Sequence, residues 1–112
     1  MSESTGSTPY GAIVLEPGGA RIIGPGMPEI LIPWDELLEV SVSAYDAGQD
    51  VERVLSFDHA SGHVVEVWHR ADGWERAISD LGTYMSLVVD DPVALCRTIT
   101  PDDEPASLAR AR

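Results

Sequence analysis

Glu39-Val40-Ser41-Val42-Ser43-Ala44-Tyr45 alternates without a break, with Val40, Val42 and Ala44 on one side and Glu39, Ser41 and Ser43 on the other. Successive side chains of an extended strand point to opposite faces, so a period of two marks a half-buried strand. Such a strand belongs to an antiparallel sheet with one face on the core and one in water. Downstream, Asp46 to Asp50 carries Gly48 and reads as a loop. Arg53, Leu55 and Phe57 then alternate with Val54, Ser56 and Asp58. Ala60-Ser61-Gly62 is the turn of a hairpin, and His63 to His69 is its return arm, with apolar residues on both faces.

Upstream, Ala12 to Leu15 and Ala20 to Ile23 read as short strands joined at Pro17-Gly18-Gly19. Gly24, Pro25, Gly26 and Pro28 make a second turn into a third strand, Glu29 to Pro33, and Trp34 to Leu38 reads as one helical turn. Asp72 to Gly82 is the best helix, because Trp74, Ala77, Ile78 and Leu81 fall at i, i+3, i+4 and i+7. Asp72 as N-cap with Glu75 three residues on fits a capping box, and Gly82 suits the stop. Ser86 to Val89 reads as a last strand. Pro92 to Arg97, with Asp91 as N-cap, reads as a short second helix. Strands followed by helix predict an α+β fold in which the helix covers one face or one open end of the sheet.

The 112 residues make one domain that buries roughly two thirds of the surface of its unfolded chain. Residues 1–10 read as a flexible leader, 11–100 as the globular domain, and 101–112, opening on Pro101-Asp102-Asp103-Glu104-Pro105, as a flexible tail. The polar start lacks the basic and apolar regions of a secretory signal, which points to the cytoplasm. Cys96 is the one cysteine and sits in an apolar stretch, so an inert buried thiol is expected rather than a disulfide.

Charge is the strongest global signal. Nineteen acids stand against seven bases, all arginine, for a net charge of -12. That field repels nucleic acid and anionic lipid and favours a basic protein partner. It also serves solubility. The acids concentrate between Glu29 and Glu52, where Glu29, Asp35, Glu36, Glu39, Asp46, Asp50 and Glu52 occur with no base at all. Alternation puts Glu39 on the wet face, and its neighbours flank the strand in loops. The candidate partner-binding residues are therefore Asp35, Glu36, Glu39, Asp46, Asp50 and Glu52, with Trp34 and Tyr45 as apolar anchors.

His63 and His69 lie on one strand ~20 Å apart, too far for a shared metal. With no oxygen-ligand calcium loop, no nucleophile elbow, no phosphate-binding loop and no His-Glu-x-x-His, no metal, cofactor or catalytic residue is expected.

The run Ile32-Pro33-Trp34-Asp35-Glu36-Leu37-Leu38-Glu39-Val40, the hairpin after it, and Asp72-Gly73-Trp74-Glu75 with Leu81 resemble small bacterial pleckstrin-homology-like proteins. The resemblance spans residues 12–82. It implies a strongly bent antiparallel sheet, or partly open barrel, of about six to seven short strands capped by one main helix. Arg21 is the only base among the first strands, so the chain departs from the lipid-binding members. A small acidic domain with a Gly-Trp step is also similar to the immunity proteins of polymorphic toxin systems. That likeness implies an inhibitor that neutralises a basic toxin or nuclease domain by binding it. An adaptor or scaffold module is the alternative, and a small enzyme using the histidines the third.

Overall fold

The computed structural model describes residues 9–112; residues 1–8, and with them most of the expected leader, lie outside the described residues. In chain order come β1 (Ala12–Glu16), β2 (Gly19–Ile23), β3 (Glu29–Ile32), a 3₁₀ turn (Trp34–Glu36), β4 (Leu37–Asp46), β5 (Val51–His59) and β6 (Val64–Trp68). Then follow α1 (Trp74–Tyr84), β7 (Ser86–Leu87), α2 (Pro92–Thr98) and β8 (Ala106–Arg110). The fold is α+β with two antiparallel sheets, one of three strands in the order β1-β2-β3 and one of five in the order β6-β5-β4-β8-β7.

This corrects the expected single bent sheet of six to seven strands, and the sheets do not close into a barrel. The break falls where β3 meets β4. Pro33 has no N–H to give a ladder, and the 3₁₀ turn after it redirects the chain before β4 begins. The core lies between the sheets and α1. Val40, Val42 and Ala44 of β4 are buried with Leu55 and Phe57 of β5, Ile13, Leu15 and Ile22 of the small sheet, and the stripe Trp74, Ala77, Ile78 and Leu81 of α1. Two tryptophans fasten the layers. Trp74 donates Nε1–H to the Val67 carbonyl at 3.1 Å, pinning α1 to β6. Trp34 donates to the Glu16 carbonyl at 2.8 Å and stacks on Tyr84 with centroids 4.6 Å apart.

Two further expectations are corrected. The tail is not loose from 106 onward: β8 lies between β4 and β7, with Leu108 and Ala109 fully buried. Its composition reads as tail because its residues are small, and its strand state comes from the free edge of β4. The capping box is absent too. The N-cap of α1 is Gly73, with φ +81° and no side-chain cap, because the Asp72 backbone is engaged by β1 through Ile13 N–H at 2.9 Å and the Gly11 carbonyl at 3.0 Å. Any side chain at 73 meets the Ile13 carbonyl oxygen, so only glycine serves. The Asp91 cap of α2 is as expected, accepting from Ala94 N–H at 3.0 Å.

Candidate protein-binding face

The wet side of the five-stranded sheet follows from the register. Cross-strand rows on that side are Tyr45 with Glu52, Ser43 with Val54 and Trp68, Ser41 with Ser56 and Glu66, and Glu39 with Asp58 and Val64. Three large side chains stand out of it: Tyr45 is 52 % exposed, Trp68 50 % and Val64 54 %. Between them the surface is short and polar, built of serines, and acids border it. Ser43, on the polar side of the alternation, is nonetheless buried, and its hydroxyl lies 3.4 Å from that of Tyr45. Val54, directly across from Trp68, is buried as well.

The acids do not form one block. Asp35, Glu36 and Glu39 lie at the start of β4, and Asp46, Asp50 and Glu52 at its far end, roughly 24 Å away along the strand. Several have internal partners. Arg21 holds Glu29, His59 meets Glu36 at 2.8 Å, and Arg110 lies 3.5 Å from Glu39. Arg70 reaches Glu52 at 2.9 Å and Asp50 at 3.6 Å. Of the seven acids, Asp35 and Asp46 alone have no basic group within 4 Å among the described residues. Asp46 accepts from Gly48 N–H, which closes the loop, and remains exposed beside Tyr45. The structure thus brings Tyr45, Asp46 and Asp50 together at the hairpin end. It separates them from Asp35, Glu36 and Glu39, and it makes Trp34 a clamp between layers. Trp68 is the exposed aromatic on this face that the sequence reading did not single out. The mixed pattern of β6 hid which of its faces is wet.

Two of the three histidines, His59 and His63, meet Ser61 at the turn between β5 and β6, while His69 lies past the end of β6. His59 Nε2 meets Glu36 Oε1 at 2.8 Å, and its Nδ1 lies 2.7 Å from Ser61 Oγ and 3.0 Å from Ser61 N–H. Because Nδ1 accepts a backbone N–H, the ring proton sits on Nε2 and points at the carboxylate. The arrangement superficially matches an activated serine. Yet Ser61 Oγ is shared with His63 Nδ1 at 3.2 Å, and the Gly62 N–H is bound to the His59 carbonyl at 2.9 Å. Both amides next to the hydroxyl are engaged, so neither is free to stabilise an oxyanion. Among the described residues no three His, Cys, Asp or Glu side chains group as a metal site. Cys96 is buried, and desolvation pushes its thiol up to about 12. Among the described residues no helix is long and apolar enough to cross a membrane.

Comparison of the chain with protein-family models, with curated proteins and with solved structures finds no match.

Proposed function

We propose that this chain is an acidic protein-binding domain that docks a basic partner on the wet face of its five-stranded sheet. The observation that carries the reading is the pair of half-exposed aromatics, Tyr45 and Trp68, set on a serine-lined sheet and bordered by Asp46, Asp50, Asp58 and Glu66. Exposed Trp and Tyr combine a large apolar area with a polar tip, the chemistry of binding hot spots. The acids steer a basic surface towards them. In its most specific form the reading is an immunity-type inhibitor that acts in the cytoplasm by covering a basic toxin or nuclease domain. Catalysis and cofactors have no part in it. The second reading is a pleckstrin-homology-like adaptor without a toxin partner, supported by six antiparallel strands running into a helix.

The test is co-expression with the product of the directly adjacent gene. That product is expected to arrest growth alone, to be neutralised by this chain, and to co-purify with it. Tyr45→Ala with Trp68→Ala is expected to abolish both neutralisation and co-purification. A harmless neighbour would sink the immunity reading. Undiminished binding by the double variant would sink the proposed surface.

A further inference from the structure

Acids outnumber bases heavily in this chain, yet a half-buried arginine is left without one. Arg21, Arg70, Arg76, Arg97 and Arg110 each have a carboxylate within 4 Å; among the described residues Arg53 and the exposed Arg112, which donates to the Gly82 carbonyl, have none. Arg53 sits on the inner side of β5, across from Ala44. Its Nε donates to the Ile99 carbonyl at 3.0 Å, and no partner takes its two terminal nitrogens among the described residues. Arg53 lines a cavity of about 440 Å³ shared with His69, Asp72, Gly73, Glu75, Arg76 and Arg97. That volume is within the roughly 300–1,000 Å³ typical of small-molecule sites.

The other groups around the cavity are of both kinds, with the carboxylates of Asp72 and Glu75 beside further donors. His69 Nδ1 accepts the Arg53 backbone N–H at 3.0 Å, so the neutral ring carries its proton on Nε2. Glu75 and Arg76 are in the first turn of α1, and their backbone N–H groups have no acceptor among the described residues. Gly73 as N-cap offers no side chain to serve them. The Glu75 carboxylate is already held by both nitrogens of the Arg97 fork, at 2.6 and 2.8 Å. The cavity therefore gathers the Arg53 guanidinium and two helix-terminal amides that no acceptor meets among the described residues, with the Asp72 carboxylate also among its lining residues.

We propose that this cavity binds an oxyanion, the phosphate group of a small molecule, with Arg53 as its principal ligand and the Glu75 and Arg76 amides completing the cradle. The site is separate from the aromatic sheet face and does not depend on the reading given to that face. Backbone amide shifts of the full chain, titrated with inorganic phosphate against chloride at constant ionic strength, test it. The expected result is a saturable shift at Gly73, Glu75 and Arg76, while Tyr45 and Trp68 stay still. Glucose 6-phosphate run in parallel distinguishes free from esterified phosphate, and saturation by either on these amides sustains the proposal. Arg53→Gln is expected to weaken binding at least about tenfold. Should that variant not fold, Arg53→Lys keeps the charge but loses the planar fork, and is expected to weaken binding severalfold. Shifts that fail to saturate at tens of millimolar phosphate, or that are as large in the Arg53 variants, overturn it.

Discussion

Trp34 is half-buried beside the acidic stretch, yet its ring and its N–H are both engaged within the fold, by Tyr84 and by the Glu16 carbonyl. Trp34→Ala removes a stacked pair and leaves a carbonyl unpaired, which is expected to cost about 2–4 kcal/mol. Urea unfolding measures it as a lower midpoint at unchanged slope. Tyr45→Ala, at an exposed site, is expected to stay within about 0.5 kcal/mol in the same measurement. The aromatics looked alike in sequence because neither neighbour reveals a hydrogen bond made 18 residues away. The Glu75–Arg97 pair supplies a pH-dependent contrast. The Arg97 hydrogen bonds hold the Glu75 carboxyl below its ordinary range. A depressed folded pKa stabilises above the unfolded value, ~4.3 for Glu, and the gain disappears as pH falls through the folded one. Glu75→Gln is therefore expected to be less stable than the wild type at neutral pH, with the gap closing below about pH 4. Denaturation midpoints across pH check the sign; a gap that widens in acid contradicts it.

At the scale of elements, legibility tracked local pattern. β4, the β5–β6 hairpin and α1 were readable because each carries its own period and its own bounding turn. β8 was not, because Ala106-Ser107-Leu108-Ala109-Arg110 has a single large apolar residue and follows two prolines. Its partners, β4 and β7, supply what its composition lacks. The division into two sheets was equally hidden, since Pro33 ends a strand without saying whether the next one joins the same ladder. The corrected topology makes truncation informative. A chain ending at Glu104 loses a strand from within the large sheet and uncovers β4, so it is expected to be unfolded by circular dichroism. A loose tail would be dispensable. Leu108→Ala is expected to cost about 2–5 kcal/mol, as for a fully buried leucine. At the opposite end of α1, Gly73→Ala forces a side chain against the Ile13 carbonyl oxygen at positive φ. It is expected to destabilise by more than about 1 kcal/mol, measured by thermal unfolding.

Across the whole molecule the net charge of -12 sets the field that the proposed basic partner would meet, but its unpaired part is smaller than the sequence suggests. Internal partners at His59, Arg110 and Arg70 come from 23 to 71 residues along the chain and from 18 to 20, respectively. Local charge counting saw none of them. The two ends of β4 therefore differ. At its start Glu36 and Glu39 are engaged, and only Asp35 is free. At the hairpin end Asp46 has no basic neighbour, and Asp50 is held weakly, at 3.6 Å, beside exposed Tyr45. Long-range attraction sets encounter, so Asp46→Lys with Asp50→Lys is expected to slow association with a basic partner several-fold while the domain stays folded. Glu36→Lys with Glu39→Lys is expected to slow it less, because those charges are already partly balanced. Wild-type association is expected to slow as salt rises, since the Debye length falls from ~10 Å at 0.1 M to ~3 Å at 1 M. The hairpin-end variant is expected to respond less to salt. Tyr45→Ala with Trp68→Ala is expected instead to speed dissociation and leave the salt slope unchanged, because desolvated anchors hold the complex after encounter. Surface-plasmon kinetics at two salt concentrations separate these effects. Equal association rates for the wild type and the hairpin-end variant, with no salt effect, reduce the acids to a solubilising role and move the partner's footprint off this end of the sheet.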